Sequence, residues 1–176
     1  LLISPLLLTI STAKEIDQEF NAAISALRSH GYTLFPNAIA TSDLSLRLHA
    51  ATATNSTFTL FAPRDPQLFS LDLSSWAPHY TASLLLHVSP SRLPASYLRR
   101  LASSHHSLGG PYLKTLLPNR ALHIERSRVM LNGTVLESVT VDGVRVLVPD
   151  LFLGPCIAVH GLEGILVGGY VPGTDD

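Results

Sequence analysis

Phe58-Thr59-Leu60-Phe61-Ala62-Pro63-Arg64-Asp65 decides how the rest of the chain is read. Phe58, Leu60 and Ala62 fall on one face of an extended segment and Thr59 and Phe61 on the other. With so little polarity on either face, the spacing predicts a strand covered on both sides. Pro63 cannot donate to a sheet ladder and Asp65 is a good N-cap. The strand should therefore stop there and hand over to a short helix through Pro66, Leu68 and Phe69.

Working outward, 176 residues that are 46% hydrophobic and only 14% charged are enough for one full core, so a single domain is expected over residues 14–168, with a flexible tail over 169–176. The formal net charge is -1 and the 12 Lys and Arg residues are scattered, which excludes the basic footprint of a nucleic-acid binder. Leu1 to Ala13 is an apolar run closed by Ser11, Thr12 and Ala13. It is too short to span a bilayer and reads as the remnant of a secretory signal peptide. The alternative is an ordinary helix for which Thr12-Ala13-Lys14-Glu15 would serve as a capping box. Cys156 is the sole cysteine, so no intramolecular disulfide can form, and its apolar neighbours predict a buried, inert thiol. Asn55-Ser56-Thr57 and Asn132-Gly133-Thr134 are N-glycosylation sequons in segments that read as loops, so Asn55 and Asn132 are the candidate glycan sites.

Ile16, Phe20, Ile24 and Leu27 make one stripe of an amphipathic helix that should end at Gly31. Phe35-Pro36-Asn37 is expected to break the chain, after which Ser42 or Asp43 caps a helix carrying Leu44 and Leu48. Beyond the central strand, residues Pro78 to Leu86 predict another helix before His87-Val88 turns extended. Pro94 opens one more, bearing Tyr97, Leu98 and Leu101. Then the period changes. Leu122, Ile124, Val129 and Leu131 alternate with polar residues, and Asn132-Gly133 and Asp142-Gly143 are strong hairpin turns. A three-stranded antiparallel meander running to Val148 is the result. Cys156 to Val167 should add two more strand-like pieces around Gly161 and Gly164. Helices followed by sheet predict an α+β domain.

The chain has 8 histidines, but none lies in a His-Glu-x-x-His or a clustered Cys/His arrangement, so no metal and no cofactor is expected. No Gly-x-Ser-x-Gly elbow, P-loop or Gly-x-Gly-x-x-Gly occurs, so hydrolase, phosphate-binding and dinucleotide chemistry lack their usual marks. A histidine-dependent hydrolase or metal enzyme using His87, His123 or His160 is the weaker class beside a binding protein. A small-ligand or lectin-like binder would instead need a deep pocket near Trp76 and Tyr80. His87 interrupts the apolar run Leu84-Leu85-Leu86-Val88, where an imidazole is tolerated only if its nitrogens find partners. It is expected to tie a strand starting at Leu86 to the central strand or to Asp65.

Thr59-Leu60-Phe61-Ala62-Pro63-Arg64-Asp65 closely resembles the first signature of the fasciclin domain, with Arg64 in place of the usual Thr. Ile157-Ala158-Val159-His160-Gly161-Leu162-Glu163-Gly164-Ile165-Leu166 resembles the second. Leu84-Leu85-Leu86-His87-Val88 is similar to the Tyr-His motif between them, with Leu86 in place of Tyr. Ser29-His30-Gly31-Tyr32-Thr33-Leu34-Phe35 looks most like the plant branch, the fasciclin-like arabinogalactan proteins. The resemblance covers nearly all of Ile16 to Val167. It implies a β-sheet wedge flanked by several short helices, and a secreted, non-enzymatic adhesion or cell-wall matrix module. Its partners would be extracellular glycans or cell-surface and matrix proteins. The branch adds Pro/Ser/Thr/Ala-rich glycan-bearing segments and often a lipid anchor. This chain has only isolated Ala-Pro and Ser-Pro pairs and ends at Asp176 without a hydrophobic tail, so membrane association is expected only in a longer, anchored form. Some animal relatives bind integrins through an aspartate and an aliphatic residue ahead of the second signature. Asp150-Leu151 stands in a similar place and is a candidate partner contact, with a structural turn as the first reading of Asp150.

Overall fold

Apolar residues at helical spacing dominate the first hundred positions and alternating ones the remainder, and the chain folds accordingly. The computed structural model describes residues 5–53, 56–104 and 111–167. Three helices come first, α1 (Pro5–Ser29), α2 (Leu34–Ala40) and α3 (Asp43–Ala53). The strand β1 (Phe58–Ala62) follows, then α4 (Asp65–Ser74), α5 (Ala77–Leu86), the two-residue β2 (Val88–Ser89) and α6 (Ala95–Ser103). The rest is strand: β3 (Tyr112–Lys114), β4 (Ala121–Leu131), β5 (Thr134–Val141), β6 (Val144–Leu153) and β7 (Ile157–Leu162). This is the expected α+β architecture, with the seven strands in the order β2-β1-β7-β6-β5-β4-β3.

The whole of β1 is buried, and its alternation sends its two faces to two different cores. Phe58, Leu60 and Ala62 pack with Phe35, Ile39 and Val159 under the helices. Phe61 packs with Leu86, Leu98, Leu122 and Val141 between the sheet and α6. β7 returns from the far end of the chain to lie parallel to β1, from Phe58 opposite Ile157 to Ala62 opposite Gly161. That one parallel pair joins the helical half to the meander. Both hairpins turn on the expected residues, with Asn132 and Gly133 at φ 50° and 78° and Asp142 and Gly143 at 46° and 78°. Two successive positive φ values give the turn whose twist matches antiparallel strands.

Several expectations need correction. Phe35-Pro36-Asn37 does not break the chain but lies inside α2, because Pro36 falls in the first turn, where its missing N–H would have had no partner within the helix. Asp65 is the first residue of α4 and Arg64 occupies the N-cap, so Asp65 does not cap its own helix. Leu86 ends α5 and does not begin a strand. After Leu162 the described chain turns through Glu163 and Gly164, so the last stretch supplies one strand and not two. At the other end, α1 begins at Pro5 and passes through Thr12 and Lys14, so Thr12 is not a cap. Asn55, His105-His106 and the tail over 169–176 lie outside the described residues.

Candidate functional site

The signature residues gather around β1 and β7, where two imidazoles are buried without exposure: His160 on β7 and His87 at the end of α5, on the β2 side of β1. His160 sits on β7 directly opposite Phe61, and the two rings stack with centroids 5.6 Å apart and planes 28° from parallel. Its Nδ1 accepts the amide N–H of Asp150 at 3.0 Å, and its Nε2 bonds the carbonyl of Leu93 at 2.7 Å. An amide can only donate and a carbonyl can only accept. Nδ1 therefore carries the lone pair, Nε2 carries the hydrogen, and the ring is neutral. Burial holds its pKa below the ordinary 6.5, outweighing the Leu93 bond and the carboxylate of Asp150, whose Oδ1 lies 3.8 Å from Nδ1.

His87 uses the opposite tautomer. It caps the C-terminus of α5, donating from Nδ1 to the Ser83 carbonyl at 2.7 Å and accepting the Leu166 N–H on Nε2 at 3.0 Å. Its own carbonyl accepts the Phe61 N–H at 2.8 Å, and its ring lies 5.9 Å from that of Phe35. The expected tie to the central strand is thus made by the main chain, while the ring reaches Leu166 and not Asp65. Burial pushes the His87 pKa down to about 4, against the opposing pull of the Ser83 bond.

Around these rings the other signature side chains hold loops and helix ends. The buried Thr59 hydroxyl donates to the Ser91 carbonyl at 2.7 Å and accepts the Leu93 N–H at 2.9 Å, fixing the carbonyl that His160 uses. Asp150 adopts φ 48° and its Oδ1 accepts the Ala95 N–H at 2.8 Å, one of the donors that α6 leaves without an internal partner. It was expected in a structural turn but lies within β6, where the pairing with β7 shifts register between Val148 and Phe152, and Leu151 packs half-buried against the core under the helices. The Asp65 carboxylate accepts from the Thr33 amide at 2.8 Å, the Thr33 hydroxyl at 2.5 Å and the Leu34 amide at 2.9 Å. It caps α2 from across the fold. Pro63 is buried beside Ala62. At Gly161 an added Cβ would overlap the Tyr32 hydroxyl and lie 2.7 Å from Cζ, so only glycine lets that ring pass. At Gly164 it would meet a methyl of Val144 at 3.3 Å.

Sequence reasoning missed two partners. Glu19 on α1 accepts the amides of both Cys156 and Ile157 at 2.8 Å, holding the turn into β7, and Tyr32 packs on Gly161. A lone acid on an amphipathic helix carries no local sign of a contact 137 residues away. Cys156 is half-buried, and burial together with the Glu19 carboxylate raises its thiol pKa, which keeps it protonated. His123 pairs with Glu125 at 3.3 Å on the partly exposed face of β4, and its ring lies tilted against that of Tyr112. Among the described residues no group of three His, Cys, Asp or Glu side chains could hold a metal ion. Trp76 is 65% exposed and Tyr80 packs into the helical core; neither lines the concavity beside α6 or the one beside α4. Asn132 is exposed at its hairpin tip.

No family model matches the chain. The chain is 41% identical over 149 residues to fasciclin-like arabinogalactan protein 19 of Arabidopsis thaliana, a match that takes in 85% of this chain and 54% of that protein. The chain thus spans about half the length of the curated relative it matches. Among solved structures it is similar to a FAS1 domain pair from the insect cell adhesion molecule fasciclin I. There the TM-score is 0.45 and the identity 16%, covering 62% of this chain and 36% of that one. The α+β chain is thus similar over most of its length to a fasciclin-like arabinogalactan protein, and the residues that resemble the fasciclin signatures gather around β1 and β7.

Proposed function

We propose that the protein is a secreted adhesion or cell-wall matrix module that binds extracellular glycans or cell-surface and matrix proteins without catalysing a reaction. The observation that carries this reading is the 41% identity to a fasciclin-like arabinogalactan protein across most of the chain. The geometry supports it, because both ring nitrogens of His87 and of His160 are spent on main-chain groups, which leaves neither imidazole able to take a proton from a substrate. Exposed Asn132 suits glycosylation in the secretory pathway, and Asn55 is proposed as the second site. Residues 1–13 are read as the end of a signal peptide and 14–168 as one fasciclin domain. No described helix is long and apolar enough to cross a membrane.

The test is to secrete the protein from plant cells and probe it on an array of glycans and wall polymers, alongside a screen against esters, glycosides and peptides. Retention on array polymers without turnover is expected, with glycosidase lowering the mass in two steps. Turnover that disappears in His160→Ala would overturn the reading.

A further inference from the structure

The long hairpin of β4 and β5 outruns its neighbours. β4 and β5 stay paired from Ile124–Val141 to Leu131–Thr134, whereas β5 and β6 align only at Val141–Val144 and Thr140–Arg145. The two-residue turn at Asp142-Gly143 makes Val141–Val144 a hydrogen-bonded pair, so the main-chain groups of alternate residues back along β5 face the β6 side. Beyond the last rung, those of Glu137 and Val135 have no strand to meet among the described residues. A free strand edge of this kind is a template for another strand.

The gap where β5 and β6 part is a groove of about 380 Å³. Ala95, Leu98 and Ala102 of α6 lie along it as an apolar wall, spaced as one helix face. Arg99, Arg126 and Arg145 line it against one carboxylate, Glu137, in a chain whose net charge is -1. Arg145 is engaged by Glu163 at 2.8 and 3.0 Å, and Arg126 bonds Ser103 and lies 3.9 Å from Glu137, but Arg99 has no charged partner among the described residues. The Ser138 hydroxyl, also in the lining, is buried without a hydrogen-bond partner. No aromatic ring is present for a sugar face to stack on, and a cationic segment would meet three guanidiniums.

We propose that this groove accepts an extended acidic strand of a partner protein, which pairs with the free edge of β5, lays apolar side chains on α6 and turns carboxylates towards Arg99. Strand addition of this kind takes affinity from main-chain bonds and specificity from alternate side chains. The inference rests on the non-catalytic binding role proposed above and names one class of partner for it.

A fluorescent peptide of the repeat Val-Ser-Glu-Ser, which puts valine and glutamate on the same face of a strand, titrated into the full chain and followed by anisotropy and amide exchange, tests it. Binding is expected, with slowed exchange at Val135 and Glu137, a loss of about tenfold in Arg99→Glu, and no binding of the same peptide N-methylated along one edge. Four results would each overturn it: no binding to the folded chain, equal binding of the N-methylated peptide, equal binding of the same repeat with lysine in place of glutamate, or equal affinity in Arg99→Glu. Self-association without peptide that Arg99→Glu abolishes would give the groove to a second copy and equally overturn it. A negative result here leaves the array test of adhesion untouched, so the two readings fail separately.

Discussion

At the scale of single residues, what a side chain does here was visible only where its own neighbours constrained it. His87 had to find partners because it interrupts an apolar run, and it did, at Ser83 and Leu166. Which partners they would be was not legible, because Leu166 lies 79 residues away. A buried neutral histidine also has a pH signature. With its folded pKa lowered from 6.5 to about 4, the unfolded chain binds the extra proton between those values, so stability rises with pH in that window. The contribution is complete above about pH 6.5 and is lost progressively as pH falls through about 4, a total of roughly 3 kcal/mol for His87. His160 adds in the same direction. Urea midpoints measured from pH 7 to pH 4 should therefore fall steeply in the wild type and markedly less in His87→Gln; parallel curves would contradict the lock.

Elements were more legible than the bonds that join them. β1, the helices from Pro78 and Pro94 and both glycine hairpins follow from periodicity, proline and turn chemistry, all local signals. Pro36 looks like a breaker in isolation although the first helical turn tolerates it, and Asp65 suits the nearest helix start although the fold offers it another. Asp65→Ala should cost about 1–2 kcal/mol by exposing the first turn of α2, read as a lower urea midpoint with the slope unchanged. Conversely, Arg64 stands at the N-cap of α4 in extended conformation with no side-chain cap bond, where the fasciclin signature usually has Thr. Arg64→Thr should raise stability by about 1 kcal/mol. A neutral or lower melting temperature would show that Arg64 earns its place through something other than the cap.

Across the whole molecule, two cores meet at the β1–β7 seam, and the bonds that close it run between segments far apart in sequence. Such bonds leave no mark in any short window, which is why Glu19 and Tyr32 went unread while the strands they brace were not. Glu19→Ala strips the Cys156 and Ile157 amides of their acceptor and should cost about 1–3 kcal/mol, with amide exchange accelerating first at those two positions. The central claim is that the two signature histidines are neutral braces on either side of β1, so the work of binding falls to other surfaces. Imidazole ¹⁵N spectra test that most directly. The account predicts His87 fixed with its hydrogen on Nδ1 and His160 with its hydrogen on Nε2, neither ring titrating near 6.5. Rings that average between tautomers, or that titrate near 6.5 as exposed imidazoles do, would contradict it and return both histidines to the candidates for catalysis or ligand contact.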